Sequence, residues 1–247
     1  MMKKIIAITG SAGSGKDSFA NIVIDNSKEK WVKMPVASHL KDVAALLFGF
    51  DRAMLEGDTI EHRAIREQPD EFWSKKMGKD FTPRQALQIL GTDLLRNQLH
   101  QNIWVDCLEK KLQTIDCNVL ITDCRFRNEI DMLKNLNADF VRMEFPNKSD
   151  YWAVALNANK YQDGINHGTD FFVPYIESDK EYLEEHKSEC SNEKNIASYN
   201  KQHMSEVNWI GYDRPDYIFL HQNTLDELKD EILHSRFWKK INNGESL

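Results

Sequence analysis

The sequence predicts a three-layer α/β/α fold: a central, mainly parallel sheet with helical insertions. Three observations carry that expectation. Ile5–Thr9 is a short apolar run that passes at once into a glycine-rich turn and then a helix start at Lys16. A second apolar run, Val119–Thr122, ends on Asp123, and further candidates follow at Phe140–Phe145 and Tyr217–Leu220. Short apolar runs without alternation fit strands covered on both faces. Strands that alternate with helices fit parallel pairing through helical crossovers.

The elements read in order as follows. Lys16 to about Asp25 is a helix with Phe19, Ala20, Ile22 and Val23 on its packed side. Val36–Phe48 is a second helix, stopped near Gly49. Residues 51–80 are highly charged, lack a strand pattern, and read as an inserted helical arm rather than a core element. Thr82, Pro83 and Gln85 form a capping box with proline at the first helical position, opening a helix to about Leu99. Gly91 inside that helix costs about 1 kcal/mol, so something is expected to approach it closely. Glu129–Leu136 is helical. Residues 147–202 are polar with scattered aromatics (Trp152, Tyr161, Phe171, Phe172, Tyr175) and no clean period, and read as an insertion with poorly specified structure. Thr224 and Glu227 cap a last helix through about Trp238. The 247 residues are expected to form one domain with these insertions.

Composition narrows the function. A net charge of −7 argues against a nonspecific nucleic-acid or membrane binder. The apolar stretch near the N-terminus is too short for a signal sequence, and no run is long enough to span a bilayer. The four cysteines show no CxxC pairing and read as reduced thiols, so a cytoplasmic location is expected, the host cytoplasm if the source is viral.

Gly10-Ser11-Ala12-Gly13-Ser14-Gly15-Lys16 matches G-x-x-x-x-G-K. Glycines let successive backbone N–H groups turn toward a polyphosphate, and the following helix start adds positive potential. Lys16 would reach the outer phosphates. The next residue is ordinarily Ser or Thr, which ligates magnesium; here it is Asp17, with Ser18 one place later. A carboxylate there is repelled by phosphate unless a metal or arginine intervenes, so Asp17 is a candidate for the magnesium shell or for facing the attacking oxygen. Asp123 stands where an open α/β sheet binds ligands and where a magnesium-holding carboxylate is expected, through water. Arg125 follows and would neutralise a transferring phosphoryl group.

Arg63, Arg66, Arg84 and Arg96 lie between these two elements. Arg84, Gln88, Thr92 and Arg96 recur every four residues on one helix face. Arg84, Gln88 and Trp104 suit a nucleotide in kind, but a charged stripe is equally a solvated face.

Together the segments resemble the bacteriophage-type deoxynucleoside monophosphate kinases, a branch of the P-loop nucleoside monophosphate kinases. The residues concerned are Gly10–Ser18 with its G-K-D variant, Leu40-Lys41-Asp42, Leu55–Thr59 with Arg63 and Arg66, and Thr82-Pro83-Arg84. They continue through Gln88–Asp93, Ile103-Trp104-Val105, Asp123–Glu129, His203–Glu206 and Asp216–Ile218. The resemblance implies transfer of the γ-phosphoryl of ATP to a deoxynucleoside 5′-monophosphate, with magnesium. Gly10–Ser18 would hold ATP. Lys41, Arg63, Arg66, Arg84, Gln88, Arg96, Trp104 and Glu206 would face the acceptor, while Lys16, Asp17, Asp123 and Arg125 would line the transfer site. Asp17 and Asp123 would serve the metal. Members are often dimeric, which makes a homodimer an open expectation.

Rival readings are a P-loop kinase of another phosphorylated acceptor, of the dephospho-coenzyme A or phosphomevalonate type, a GTPase, and a non-catalytic nucleotide-binding module. Asn147-Lys148-Ser149-Asp150 matches the guanine-reading N-K-x-D pattern, but Asp123 opens D-C-R-F rather than D-x-x-G.

Overall fold

The computed structural model describes residues 3–166, 177–202, 204–220 and 224–243. The chain divides into two compact units, one of residues 1–35 with 116–247 and one of residues 36–115.

The first unit opens with β1 (Ile5–Gly10), all six residues buried, and α1 (Lys16–Asn26). A three-residue strand β2 (Trp31–Lys33) follows. The second unit then runs through α2 (Ser38–Phe48), α3 (Arg52–Glu56), α4 (Ile60–Arg66), α5 (Glu71–Met77) and α6 (Pro83–Gln88), a π-helix over Ile89–Leu99, and α7 (Ile103–Leu112). The chain returns to the first unit with β3 (Asn118–Ile121), α8 (Arg127–Asn135), β4 (Asp139–Glu144) and α9 (Trp152–Asn166). It continues with α10 (Glu177–Glu185), a 3₁₀ turn at Lys187–Ser191, α11 (Glu193–Asn200), α12 (Met204–Val207), β5 (Tyr217–Leu220), α13 (Leu225–His234) and α14 (Arg236–Asn243).

The sheet order is β2-β3-β1-β4-β5, and every pairing is parallel. The fold is therefore the expected three-layer α/β/α arrangement around a parallel sheet. Ile6 and Ile8 alternate onto one face of β1. There they meet Phe19, Ile22 and Val23 of α1, Leu228 and Ile232 of α13, and Phe237 and Ile241 of α14. Parallel pairing sends the C-terminal ends of β1 and β3 to one edge, with Ala7 in register with Ile121. Gly10 and Asp123 thus leave the sheet on the same side.

The second unit packs around Ala44, Phe50, Met54, Leu55, Phe81, Ala86 and Leu90, with Trp73 Nε1 donating to Phe48 O at 2.9 Å. The expected capping box at Thr82 is present, with both reciprocal bonds formed. Beyond Gln88, however, the helix widens into eleven residues of π-helix. Such runs are rare and need outside support. The angular drift of Thr92 and Arg96 from Arg84 therefore differs from the α-helical one assumed for the stripe. Gly91 explains part of the support. A Cβ there would lie 2.7 Å from Leu40 Cδ2, and its carbonyl accepts Trp104 Nε1 at 2.9 Å. The close approach expected at Gly91 is thus a helix contact within this unit.

Residues 147–202 are more ordered than their pattern suggested. Trp152–Leu156 are five consecutive buried residues at the start of α9. A helix covered on all sides shows no amphipathic period. Trp152 meets the Trp209 ring at 5.5 Å between centroids, and Asn159 Nδ2 donates to Val207 O and Ile210 O at 2.9 and 2.8 Å. The side chain of Tyr161, and Phe171, Phe172 and Tyr175, lie outside the described residues. The C-terminal helix breaks at Ser235 into α13 and α14. Among the described residues, no helix is long and apolar enough to cross a membrane.

Candidate active site

In the first unit the phosphate loop links β1 to α1. Gly10, Gly13 and Gly15 have φ of 141°, 78° and 92°, a region other residues avoid. At Gly10 space forbids a side chain as well: a Cβ would lie 2.5 Å from Met143 O and 2.6 Å from Ser14 Oγ. Gly15 caps α1, so the open N–H groups of the first helical turn face the loop. Ser14 Oγ is buried with no hydrogen-bond partner. An orphaned hydroxyl within a ring of open N–H groups suits an anion.

Lys16 is buried, and its Nζ donates to Gly10 O at 2.8 Å and Ser11 O at 2.7 Å. Burial, reinforced by the Arg125 charge, pulls its pKa from 10.5 down to about 8, against the opposing pull of Glu206, Asp17 and Asp123. These five side chains therefore share one electrostatic neighbourhood. Asp17 is largely exposed and lies 3.7 Å from Lys33 at the end of β2, a partner the sequence reading missed because so short a strand carries no pattern. Asp123 follows β3. The turn after it is fixed by buried Glu129, whose Oε2 accepts the Arg125 N–H at 2.8 Å and the Phe126 N–H at 3.0 Å. Arg125 Nη1 in turn donates to Glu206 Oε1. Burial also raises the Cys124 thiol well above its usual range, which makes it inert.

The lysine titration has two opposite consequences. Between pH 8 and 10.5 the unfolded chain holds a proton that the folded chain has lost, so ligand-free stability gains from this group as pH rises through that window. Anion binding needs the charged lysine. The Kd for a polyphosphate anion at this loop is therefore expected to rise above pH 8, by up to about tenfold per pH unit. Calorimetric titration across pH 7 to 9.5, paired with thermal melts of the free protein, checks both signs.

The second unit holds its own cluster of cations. Arg66 Nη1 donates to Leu55 O at 3.3 Å and Glu56 O at 3.4 Å. Its pKa is lowered, first by burial and then by Arg84, with Arg63 adding to the same effect. Three arginines in mutual electrostatic reach favour an anion between them. Arg63 is braced by Thr59 O and Asp58 O, and exposed Arg84 has a loose 3.7 Å pairing with Glu67. Lys41 does not stand open: Glu56 takes it at 2.6 Å and takes Arg52 at 2.6 Å. Burial pushes the Glu56 carboxyl up, but those two cations outweigh it and hold it below its usual range. Gln88 is exposed, Arg96 half-buried, and Trp104 buried with its N–H on Gly91. Trp104 therefore supports the π-helix.

Gly57 lets Arg66 adopt this position. With φ of 74°, a Cβ would sit 2.6 Å from Arg66 Nη1 and 2.9 Å from its Cζ. Gly57→Ala is expected to cost about 1–2 kcal/mol from the left-handed backbone alone and to displace the guanidinium. A urea melt reads the first effect and the acceptor KM the second.

Among the described residues no three His, Cys, Asp or Glu side chains converge as a metal cluster. Asp17 and Asp123 offer two carboxylates, the number magnesium takes when phosphate and water fill its other positions.

What the sheet, the loop and this strand end define is a P-loop-type phosphotransferase. Comparison with known proteins narrows it. Residues 48–151 match the family model for deoxynucleotide monophosphate kinase. A protein of Acanthamoeba polyphaga mimivirus described as a deoxynucleotide monophosphate kinase is 29% identical over 154 residues, spanning 58% of this chain and 74% of its own. The deoxynucleoside-5′-monophosphate kinase of Escherichia phage T5 is 25% identical over 184 residues, spanning 55% of this chain and 74% of its own. The chain is thus similar to deoxynucleoside monophosphate kinases of a mimivirus and a phage, and the segment matched to that family model carries Arg63, Arg66 and Arg84. Among solved structures, a dephospho-CoA kinase from Campylobacter jejuni covers 99% of this chain and 100% of its own at 16% identity and a TM-score of 0.37, too distant to bear on the acceptor.

Proposed function

We propose that the chain phosphorylates deoxynucleoside 5′-monophosphates with ATP and magnesium, giving the diphosphates. The observation that supports this best is the pair of anion sites. One is the loop around buried Lys16, and the other is the Arg63–Arg66–Arg84 group within the segment matched to the family.

Gly10–Ser18 would hold the donor, with Ser14 Oγ, the loop N–H groups and Lys16 as donors of hydrogen bonds. Lys16 must release the Gly10 and Ser11 carbonyls, or share its protons with them, to reach phosphate. Lys16 and the side chains named around it comprise two cations and three carboxylates, and Lys33 balances the excess. A polyphosphate would therefore meet a nearly neutral set, which favours a donor accompanied by a divalent cation. Asp17 and Asp123 would hold magnesium, which when bound neutralises phosphate charge. Arg125, held by Glu206, would meet the charge on the transferring group. The acceptor phosphate has ionised oxygens already, so alignment and neutralisation suffice without a strong base. Arg63, Arg66 and Arg84 would hold that phosphate, and Gln88 and Arg96 are assigned to the acceptor with them. Residues 51–80 are assigned to covering the acceptor, and part of 147–202 to covering the donor.

The decisive assay follows ADP release with dTMP, dGMP, dCMP and dAMP side by side, each with ATP and magnesium. Turnover of at least one monophosphate is expected. Turnover of dephospho-coenzyme A alone, or hydrolysis without transfer, would sink the proposal. Asp17→Asn is expected to raise the magnesium concentration needed for half-maximal rate. An unchanged requirement removes Asp17 from the metal shell.

A further inference from the structure

The strand beside the phosphate loop carries a buried charge that the reaction itself does not require. Arg142 lies within β4, fully buried, in register with Thr9 of β1. Its Nε donates to Asp213 Oδ2 at 2.9 Å, and its Nη2 to Asp213 Oδ1. Its Nη1 donates to both oxygens of Asp179, at 2.8 and 2.9 Å, and to Glu144 Oε1 at 3.1 Å. Asp213 Oδ2 also accepts Thr9 Oγ1 at 2.5 Å. Three stretches of chain meet on one guanidinium, β4, α10 and the turn before β5, and the end of β1 joins them through Asp213.

Burying such a set seldom stabilises a protein more than well-packed apolar side chains would. Its geometry, however, is exacting: a bidentate arginine fixes a carboxylate in plane and distance. Here the carboxylate so fixed grips the last residue before the loop. Thr9 is followed by Gly10, whose carbonyl holds Lys16 Nζ and whose Cα faces Met143 O with no room for a Cβ. A small shift of Thr9 would carry directly into the lysine and the open N–H groups.

We infer that Arg142 and Asp213 are positioning residues for the phosphate loop, acting through the Thr9 hydroxyl to hold it ready for the donor's phosphates. The inference rests on the reading that this loop holds the donor nucleotide. Preorganisation of this kind lowers the cost of binding without touching the ligand.

The test is Thr9→Val, which keeps shape and removes the hydroxyl, compared with Thr9→Ser, which keeps the hydroxyl. Thr9→Ala, which opens space instead of adding a methyl, is the second hydroxyl-free variant. ATP·magnesium affinity is measured by calorimetry, and donor KM, acceptor KM and kcat by steady-state assay, with a thermal melt of each protein. Thr9→Val and Thr9→Ala are expected to weaken donor binding about tenfold, near the worth of one hydrogen bond. Their kcat and acceptor KM should stay within about twofold, and Thr9→Ser should recover most of the donor affinity. Donor affinity unchanged in Thr9→Val and Thr9→Ala overturns the inference, as does equal impairment of Thr9→Ser. Wild-type binding of ATP without phosphorylation of any monophosphate would overturn the proposed function while leaving this comparison intact. Wild-type protein that binds no ATP overturns both.

Discussion

Lys16→Met is expected to lower kcat/KM by about 1,000-fold, at the upper end for loss of a single preorganised charged donor. Methionine keeps an unbranched stem of similar reach and fills the same space. It cannot donate to Gly10 O and Ser11 O, so two loop carbonyls lose a partner. It also removes a cation whose burial is unfavourable, as the fall of its pKa to about 8 shows. These effects on stability oppose each other, and the melting temperature should move little. The effect on phosphate has no such offset. Without Lys16, the three carboxylates named with it are faced by Arg125 and, at Asp17, by Lys33. Steady-state kinetics at saturating acceptor, together with a thermal melt, checks the claim. A variant within tenfold of wild type would show that Lys16 is not the phosphate-binding lysine.

Arg125→Ala is expected to lower kcat by about 100- to 1,000-fold, the range for removal of a charge that stabilises a transferring phosphoryl group. Part of that loss has an identifiable second source. Glu206 donates nothing and accepts from Arg125 Nη1. With the arginine gone, its carboxylate loses its hydrogen-bonded cation and keeps only the longer-range pull of Lys16, so it would repel the donor's phosphates more strongly. Arg125→Ala with Glu206→Gln should therefore recover part of the rate, and the pair should be strongly non-additive. Glu206→Gln alone should lower kcat by a smaller factor, because Arg125 stays but is held less firmly. Additive effects of the two substitutions would show that the contact has no part in turnover.

The consequences of these substitutions show which features can be read locally. The phosphate loop was legible because its chemistry is contiguous. Gly10, Gly13, Gly15 and Lys16 occupy one turn, and positive φ is a requirement that residue type reveals. The capping boxes at Thr82 and Thr224 were legible for the same reason. Buried strands announced themselves as apolar runs, and from them followed the three-layer fold.

The remaining features depend on partners distant in the chain. β2 has three residues and forms only because β3 offers it an edge. The π-helix after Gln88 is held by Leu40 and Trp104, neither of which its own residues specify. α9 was obscured because burial on every side removes the period that marks a helix.

The sequence by itself determined a phosphate loop between a strand and a helix, an acid and an arginine after a second strand, and the family those segments resemble. Only the tertiary structure decided that Lys16 is buried against its own loop, that Arg125 is held by Glu206, and that Lys41 is taken by Glu56. It also decided that Arg142 and Asp213 grip Thr9. The physical reason is range. Backbone conformation and burial leave their mark within a few residues, whereas a charge's state depends on partners the fold brings from 81 or 71 residues away. The loop named the chemistry, and the folded environment of each charge decides how that chemistry is poised.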